Sequence, residues 1–240
     1  KRTFHKREQE EKRLKYDLMI ESIKTPFTPK DLQEYVLNRL VNEILNGGKP
    51  QFNEIAKPIF KALCYYFTND VEFEQMGSGW KLNKGICLMG NIGTGKTTLM
   101  NMFSKNKRQC YKVISCRDIA GQFADAKGNK DYSAHEILEV YSNDMPLATN
   151  NYNFFLQQSL GYCYDDLGTE SVKKNFGNEV NVMEEIILNR YDNRKTGWHF
   201  THLTTNLTAD KIGENYGNRV RDRMREMFNI IELTGESLRK

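Results

Sequence analysis

Between a short apolar run at Gly85–Met89 and a segment with helical patterning the chain reads GNIGTGKTT, which sets Gly90, Gly95, Lys96 and Thr97 in the pattern G-x-x-x-x-G-K-[ST]. The chemistry such spacing supports is anion binding. Glycines allow a tight turn, so that the backbone N–H groups of Asn91, Ile92, Gly93, Thr94, Gly95, Lys96, Thr97 and Thr98 can converge on phosphate oxygens. The N-terminus of the following helix adds positive potential. Lys96 is then placed to reach the β- and γ-phosphates of a nucleoside triphosphate, and the Thr97 hydroxyl to ligate Mg2+. A strand before and a helix after are the context this motif requires, and an accidental glycine-rich turn would not bring both.

A phosphate loop needs a carboxylate for its metal. In LGYCYDDLGTE an apolar strand, Gly161–Tyr164, ends in Asp165 and Asp166, and ligands of open α/β sheets gather at the carboxyl ends of strands. Asp165 is placed to hold Mg2+ through water, and Asp166 to orient or deprotonate an attacking water; the competing reading is a solvated turn. In THLTTNLT the strand ends at Asn206, whose neutral amide could position the water without adding charge, or simply cap a turn. In NYGNRVRDRMREMF the residues Arg219, Arg221, Arg223 and Arg225 alternate. Residues four apart share a helix face, so Arg219 and Arg223 lie together and Arg221 and Arg225 lie nearly opposite. One pair could project toward the γ-phosphate on a neighbouring copy. A solvated helix with Asp222 and Glu226 as partners is the alternative, above all for Arg221 and Arg225. Lys173, Lys174 and Phe176, in the loop after the acidic strand, combine cations with an aromatic ring; they suit backbone-and-stacking contact with single-stranded DNA, or a solvated loop.

These residues need elements to carry them. Short apolar runs at Gly85–Met89, Tyr111–Ser115, Gly161–Tyr164, Trp198–Thr205 and Asn229–Leu233 read as strands. Helices are expected at Lys96–Ser104, Asp118–Ala126, Ala134–Tyr141, Val182–Asn193, Ala209–Tyr216 and Arg219–Met227. Such alternation predicts an α/β sandwich on a mainly parallel sheet. Ahead of it lies a helical region. Thr28 is a good N-cap, Pro29 suits the first position, and Asp31 follows. Leu32, Val36, Leu40 and Ile44 then form an apolar stripe on a helix expected to end near Gly47 and Gly48. Asn53 can cap a second helix bearing Ile55, Ile59, Phe60 and Leu63. The expected organisation is a helical region over 1–75 and a nucleotide-binding domain over 76–240, with the charge-dense stretch 1–24 as a solvated helix or partner-binding arm.

Composition bounds the class. Over 240 residues, 39% are hydrophobic and 28% charged, as in soluble globular proteins; no run approaches the roughly 20 apolar residues of a membrane helix. Cys64, Cys87, Cys110, Cys116 and Cys163 form no C-x-x-C pair or zinc spacing. They are expected to be buried and reduced, which points to the cytoplasm. The net charge of +4 is a weak pointer to nucleic acid.

DDLG also satisfies D-x-x-G of GTPases, but the guanine-reading N-K-x-D is missing: Asn129, Lys130 and Asp131 run straight into Tyr132. A small-molecule kinase would carry an arginine-bearing lid, and residues 117–150 hold only Arg117. GNIGTGKTTL, YDDLGTE, THLTTNL and YGNRVRDRM, in that order, resemble the DnaC/DnaI group of AAA+ ATPases, bacterial helicase loaders related to the IstB-type transposition helper ATPases. The resemblance covers about residues 80–240. It implies a P-loop NTPase fold of strand order 5-1-4-3-2 with little or no C-terminal lid, ATP and Mg2+ as cofactors, and Asp165 and Asp166 as the Walker B acids. It further implies Asn206 as sensor 1, Arg223 as the arginine finger with Arg219 as runner-up, and Arg239 as the sensor 2 arginine. It implies ATP hydrolysis, a DnaB-type replicative helicase and single-stranded DNA as partners, and self-association through ATP and a trans arginine. The competing expectations are an IstB-like helper that delivers a transposase, and a nucleotide-gated DNA-binding adaptor with little hydrolysis. Some family members carry a zinc-binding N-terminal domain; the residues of this sequence hold no such cysteine cluster.

Overall fold

The computed structural model describes residues 28–41, 56–106, 108, 110–126, 133–143, 161–170, 173–175, 178–193 and 201–238. Its centre is a five-stranded sheet. Strand β1 (Gly85–Met89) lies between β6 (Thr201–Thr205) and β7 (Phe228–Glu232), β3 (Gly161–Leu167) lies beyond β6, and β2 (Tyr111–Ser115) forms the other edge. Every pairing in this sheet is parallel. With the small hairpin of β4 (Lys173–Asn175) and β5 (Asn178–Val180) set aside, the order is the expected 5-1-4-3-2. Parallel strands need crossover helices, which cover both faces; hence β1 is a continuous apolar run, GICLM, buried at all positions.

One face is covered by α4 (Lys96–Phe103) together with α1 (Pro29–Arg39), α2 (Ala56–Phe67) and the short α3 (Phe73–Met76), which share a core with Ile86, Leu88 and Ile231. The other face carries α5 (Cys116–Asp125), α6 (Ala134–Ser142), α7 (Val182–Asn193) and α8 (Ala209–Met227), packed on Cys87, Tyr164 and Leu203. The described part of the N-terminal helical region therefore supplies much of one layer of the sandwich. Thr28 caps α1 as its position suggests, its hydroxyl accepting from Asp31 N at 3.2 Å, with Leu32, Val36 and Leu40 buried. Arg39, also buried, donates to Met102 O at 3.0 Å, placing a cation at the carbonyl end of α4, where the helix dipole favours it. Ile44, Asn53 and the expected turn at Gly47 and Gly48 lie outside the described residues.

Three elements differ from expectation. β3 does not stop at Tyr164 but continues through both aspartates to Leu167, with a register shift against β6 between Tyr164 and Leu167. Lys173 and Lys174 do not sit in a plain loop: Lys173–Asn175 (β4) and Asn178–Val180 (β5) pair as an antiparallel hairpin. α5 begins at Cys116, directly after β2, rather than at Asp118. The two helices expected over 209–227 are both present, joined end to end in α8 at a kink where Gly217 is non-helical, with φ of 83°.

β6 is polar in sequence, THLTT, yet fully buried. His202 Nδ1 accepts from the Ile86 N–H at 3.1 Å, and the ring packs among Tyr66, Phe67 and Tyr111. Burial, with Arg108 and Arg190 nearby, holds the His202 pKa down at about 3. An imidazole whose folded pKa is depressed costs stability as pH falls below its unfolded value of ~6.5, because only the unfolded chain takes up the proton. Between about pH 6 and pH 4, His202→Asn, which keeps an acceptor near Nδ1 and cannot protonate, should therefore show a flatter fall of Tm than wild type. Parallel slopes in a thermal-melt series would contradict this account.

Candidate functional site

The carboxyl ends of β1, β3 and β6 lie side by side, so the residues following each converge. β1 delivers the loop 90–95 and α4 begins at Lys96. Gly90, Gly93 and Gly95 take φ of 152°, 83° and 92°, values that L side chains rarely adopt. The loop is anchored to β6, where Gly90 N–H donates to Thr205 O at 3.2 Å. The Thr94 hydroxyl donates to Asn91 O at 3.0 Å within the loop. Asn91, Ile92 and Thr98 are exposed, whereas Thr94 and Lys96 are buried.

Lys96 and Asn206 meet. The Lys96 ammonium donates to Asn206 Oδ1 at 2.6 Å, to Asn91 O at 2.7 Å and to Gly90 O at 2.8 Å. Thr97 and Asp165 meet as well, the Thr97 hydroxyl lying 2.9 and 3.0 Å from the two carboxylate oxygens. The loop residues Lys96 and Thr97 are thus in hydrogen-bond contact with Asn206 and Asp165.

Thr204 was not singled out from sequence, and it is central. Its hydroxyl donates to Asp165 Oδ1 at 2.6 Å and accepts from Asp166 N–H at 2.9 Å, tying β6 to the irregular part of β3. The signal lay in THLTTNL, where a hydroxyl residue stands two positions before Asn206 on a buried strand. A bulge places successive residues where regular pairing would not. Here it lets Asp165 point inward while Asp166 takes a left-handed backbone at φ 56°, which aspartate tolerates better than most residues. Thr169 N–H and Oγ1 both donate to Asp166 O, at 3.1 and 2.8 Å, closing the turn. Glu170, the last residue of DDLGTE, accepts from Gly168 N–H at 2.9 Å and from the Tyr216 hydroxyl on α8.

Burial pushes the Asp165 carboxyl above its ordinary range; the Thr204 and Thr97 hydroxyls oppose that, Asp166 adds to it, and Lys96 opposes it again. A hydroxyl beside a buried carboxylate is a hard-oxygen donor set that fits Mg2+, which binds through one or two protein oxygens, waters and substrate phosphates. Among the described residues, no group of three His, Cys, Asp or Glu could hold a metal by itself. All five cysteines are buried; burial raises Cys64 and Cys87 to about 12 and Cys116 and Cys163 well above the ordinary thiol value, so these four are protonated at neutral pH.

The arginines divide. Arg223 is half-buried, its guanidinium 4.2 Å from the Tyr191 ring centroid, donating to the Tyr191 hydroxyl at 2.7 Å and 3.7 Å from Glu226. Arg221 lies 3.4 Å from Asp210. Arg219 is exposed and makes no hydrogen bond or ion pair among the described residues. Phe176 and Arg239 fall outside the described residues; of Lys173 and Lys174 only the backbone is described.

A parallel sheet of this order, with a phosphate-loop motif between β1 and its helix and acids at the end of β3, is the α/β P-loop NTPase fold. No protein-family model matches the chain, and no curated relative does. Solved structures it resembles include the DnaC helicase loader (18% identity over 78% of this chain and 94% of that one, TM-score 0.48). DnaI is another (18% identity, 76% of this chain and 87% of that one, TM-score 0.46). AMPPCP-bound DnaA from Aquifex aeolicus is a third (17% identity, 76% of this chain and 48% of that one, TM-score 0.47).

Two outcomes test the site. Asp165→Asn removes a buried charge, so at neutral pH it should raise the Tm of the protein without nucleotide by about 2 °C or more. A carboxyl whose folded pKa is raised is penalised only where it is charged, so the gain should shrink as pH falls through the carboxylate range. A Tm lowered at pH 7.5 would refute the assignment of burial as the dominant effect. Thr204→Val, which keeps the shape and removes the hydroxyl, should cost about 1–3 kcal/mol of stability by leaving Asp165 and the Asp166 N–H short of a partner; denaturant melts with an unchanged midpoint would exclude it.

Proposed function

We propose that this chain is an AAA+ ATPase that binds and hydrolyses ATP with Mg2+ and loads a DnaB-type replicative helicase onto single-stranded DNA. The observation that carries the nucleotide half is the junction of Lys96 with Asn206 and of Thr97 with Asp165, at 2.6 and 2.9 Å, beneath a loop rich in left-handed glycines. The helicase half rests on the ordered set GNIGTGKTTL, YDDLGTE, THLTTNL and YGNRVRDRM.

In this reading the N–H groups of the loop bind the phosphates, and Lys96 exchanges neutral oxygens for phosphate oxygens, which form stronger charge-assisted bonds. Thr97 and Asp165 would hold Mg2+, which when bound would supply positive charge against the triphosphate. Asp166, set apart by its turn, takes the proton of the attacking water or orients it, and Asn206, beside Lys96, holds that water in line without adding charge. Asp165 is the less suited of the two to act as a base, since its carboxylate already accepts from two hydroxyls.

Self-association is the remaining requirement, with an arginine of one copy reaching the γ-phosphate of the next. Arg223 is the residue the motif points to, but it would have to leave Tyr191 and Glu226. Arg219 reaches solvent already. Arg219→Ala and Arg223→Ala, compared in the ATP-dependent assembled state, decide between them: the finger variant should lose about 10³-fold or more in hydrolysis and retain nucleotide affinity. Loss of Tm in Arg223→Ala alone, with hydrolysis intact, would assign that residue to the Tyr191 cluster.

The overall reading is tested by steady-state hydrolysis with and without single-stranded DNA, paired with a pull-down on a hexameric DnaB-type helicase. Wild type should hydrolyse ATP and retain the helicase in its presence, and Lys96→Ala should do neither. Capture of a transposase on duplex DNA instead would move the chain to the IstB-like class. Binding without turnover would make it a nucleotide-gated adaptor.

A further inference from the structure

The chain leaving β7 returns across the phosphate loop. Leu233 N–H donates to Met89 O at 2.7 Å, and Leu238 N–H donates to Gly93 O at 2.9 Å. The first bond grips the last residue of β1 and the second grips the loop itself. Between them the two backbones pass in contact. A Cβ on Gly90 would fall 2.1 Å from the Leu233 carbonyl oxygen, and one on Gly93 would fall 2.1 Å from Ser237 Oγ. A Cβ on Gly95 would stand 3.6 Å from Leu238 Cδ1. Each glycine that turns the loop therefore faces the 233–238 segment.

The bond at Gly93 has a directional consequence. In a planar trans peptide the C=O and the N–H of one unit point in opposite directions. With the Gly93 carbonyl turned outward to Leu238, the Thr94 N–H of the same peptide is turned to the other side. An anion-binding loop needs that N–H directed at the anion; a flipped peptide would present a carbonyl oxygen to phosphate, which repels it. A glycine at φ 83° has no Cβ to resist such a flip, so an external partner has to hold it. The Thr94 hydroxyl is bound back to Asn91 O and does not compete for the bond.

We infer that residues 233–238 are a positioning element of the phosphate site: the Leu238 N–H holds the Gly93–Thr94 peptide in its anion-binding orientation, and Leu233 holds the loop's entry. The ligand class that senses this is a polyphosphate, whose oxygens reach the middle of the loop. The inference rests on the nucleotide-binding reading above.

The test is titration of ATP, ADP and AMP against the full chain, with Tm recorded alongside. Leu238→Pro removes the N–H and keeps an apolar side chain; Leu238→Ala keeps the N–H. The loss of ATP and ADP affinity in Leu238→Pro should exceed that in Leu238→Ala by about ten-fold, the effect of one hydrogen bond, while AMP binding changes less than about two-fold. Equal losses in the two variants, or an equal loss for AMP, would overturn the inference. Should Leu238→Pro fail to fold, Ser237→Val, which adds bulk against Gly93, should produce the same selective loss, and wild-type polyphosphate affinity in that variant would overturn it. Failure of wild type itself to bind ATP sinks the nucleotide reading, and the inference with it; that result is distinct from a variant that binds as well as wild type.

Discussion

A carboxylate buried at the end of a parallel strand is costly unless donors meet it, and the arrangement around Asp165 answers to that cost. One hydroxyl comes from Thr97 at the start of α4, the other from Thr204 on the neighbouring strand. Because β6 lies between β3 and β1, Thr204 of β6 reaches the acid from the side while Thr97, after the β1 loop, reaches it from above. The strand order is therefore part of the site. The bulge in β3 serves the same end: it lets Asp165 stay buried and Asp166 turn away, yet Leu167 still pairs with Thr205. Thr205 reinforces that return, its hydroxyl donating to Leu167 O at 2.7 Å and accepting from Leu207 N–H at 3.0 Å.

The polar residues of β6 have to be supported from below, where the sheet is otherwise apolar. His202 gives its acceptor to the β1 backbone and its ring to an aromatic cluster that includes α2 residues. Arg108 donates to Tyr66 O at 2.6 Å and lies 4.1 Å from the Tyr66 ring centroid, binding the segment after α4 to α2. The helices before β1 thus belong to the packing beneath the phosphate loop. Arg39 completes that link at the far end of α4.

What could be read from sequence follows from how local each signal is. β1, β2 and α7 match their expected bounds to the residue, because the signal for each lies in its own consecutive residues. The phosphate loop was legible for the same reason: its chemistry is contained in consecutive residues. Thr204, Tyr216 and the 233–238 segment were not, since each acts on a residue far away in the chain through a bond that no spacing encodes. β3 runs past the end its sequence suggests: two aspartates are poor strand formers, and the tertiary pairing with β6 overrides that preference. The β4–β5 hairpin escaped because strands of three residues give too little alternation to register.

α8 carries this tension between local and tertiary signals furthest. Its first half is fastened to the acidic loop: Tyr216 donates to Glu170, which itself holds Gly168 N–H. One residue later Gly217 breaks the helix, and the arginine-bearing second half is fastened to α7 through Tyr191 and Glu226. Glycine is required at that joint because φ of 83° would strain any side chain, and nothing lies within 4 Å of where a Cβ would stand. The need there is conformational and not one of space. The helix therefore consists of two bodies with separate anchors, one on the loop that presents Asp166 and one on α7 within its own layer. A shift of the acidic loop acts directly on the first body, and reaches the arginines only through a joint whose backbone freedom is greater than that of any other residue type.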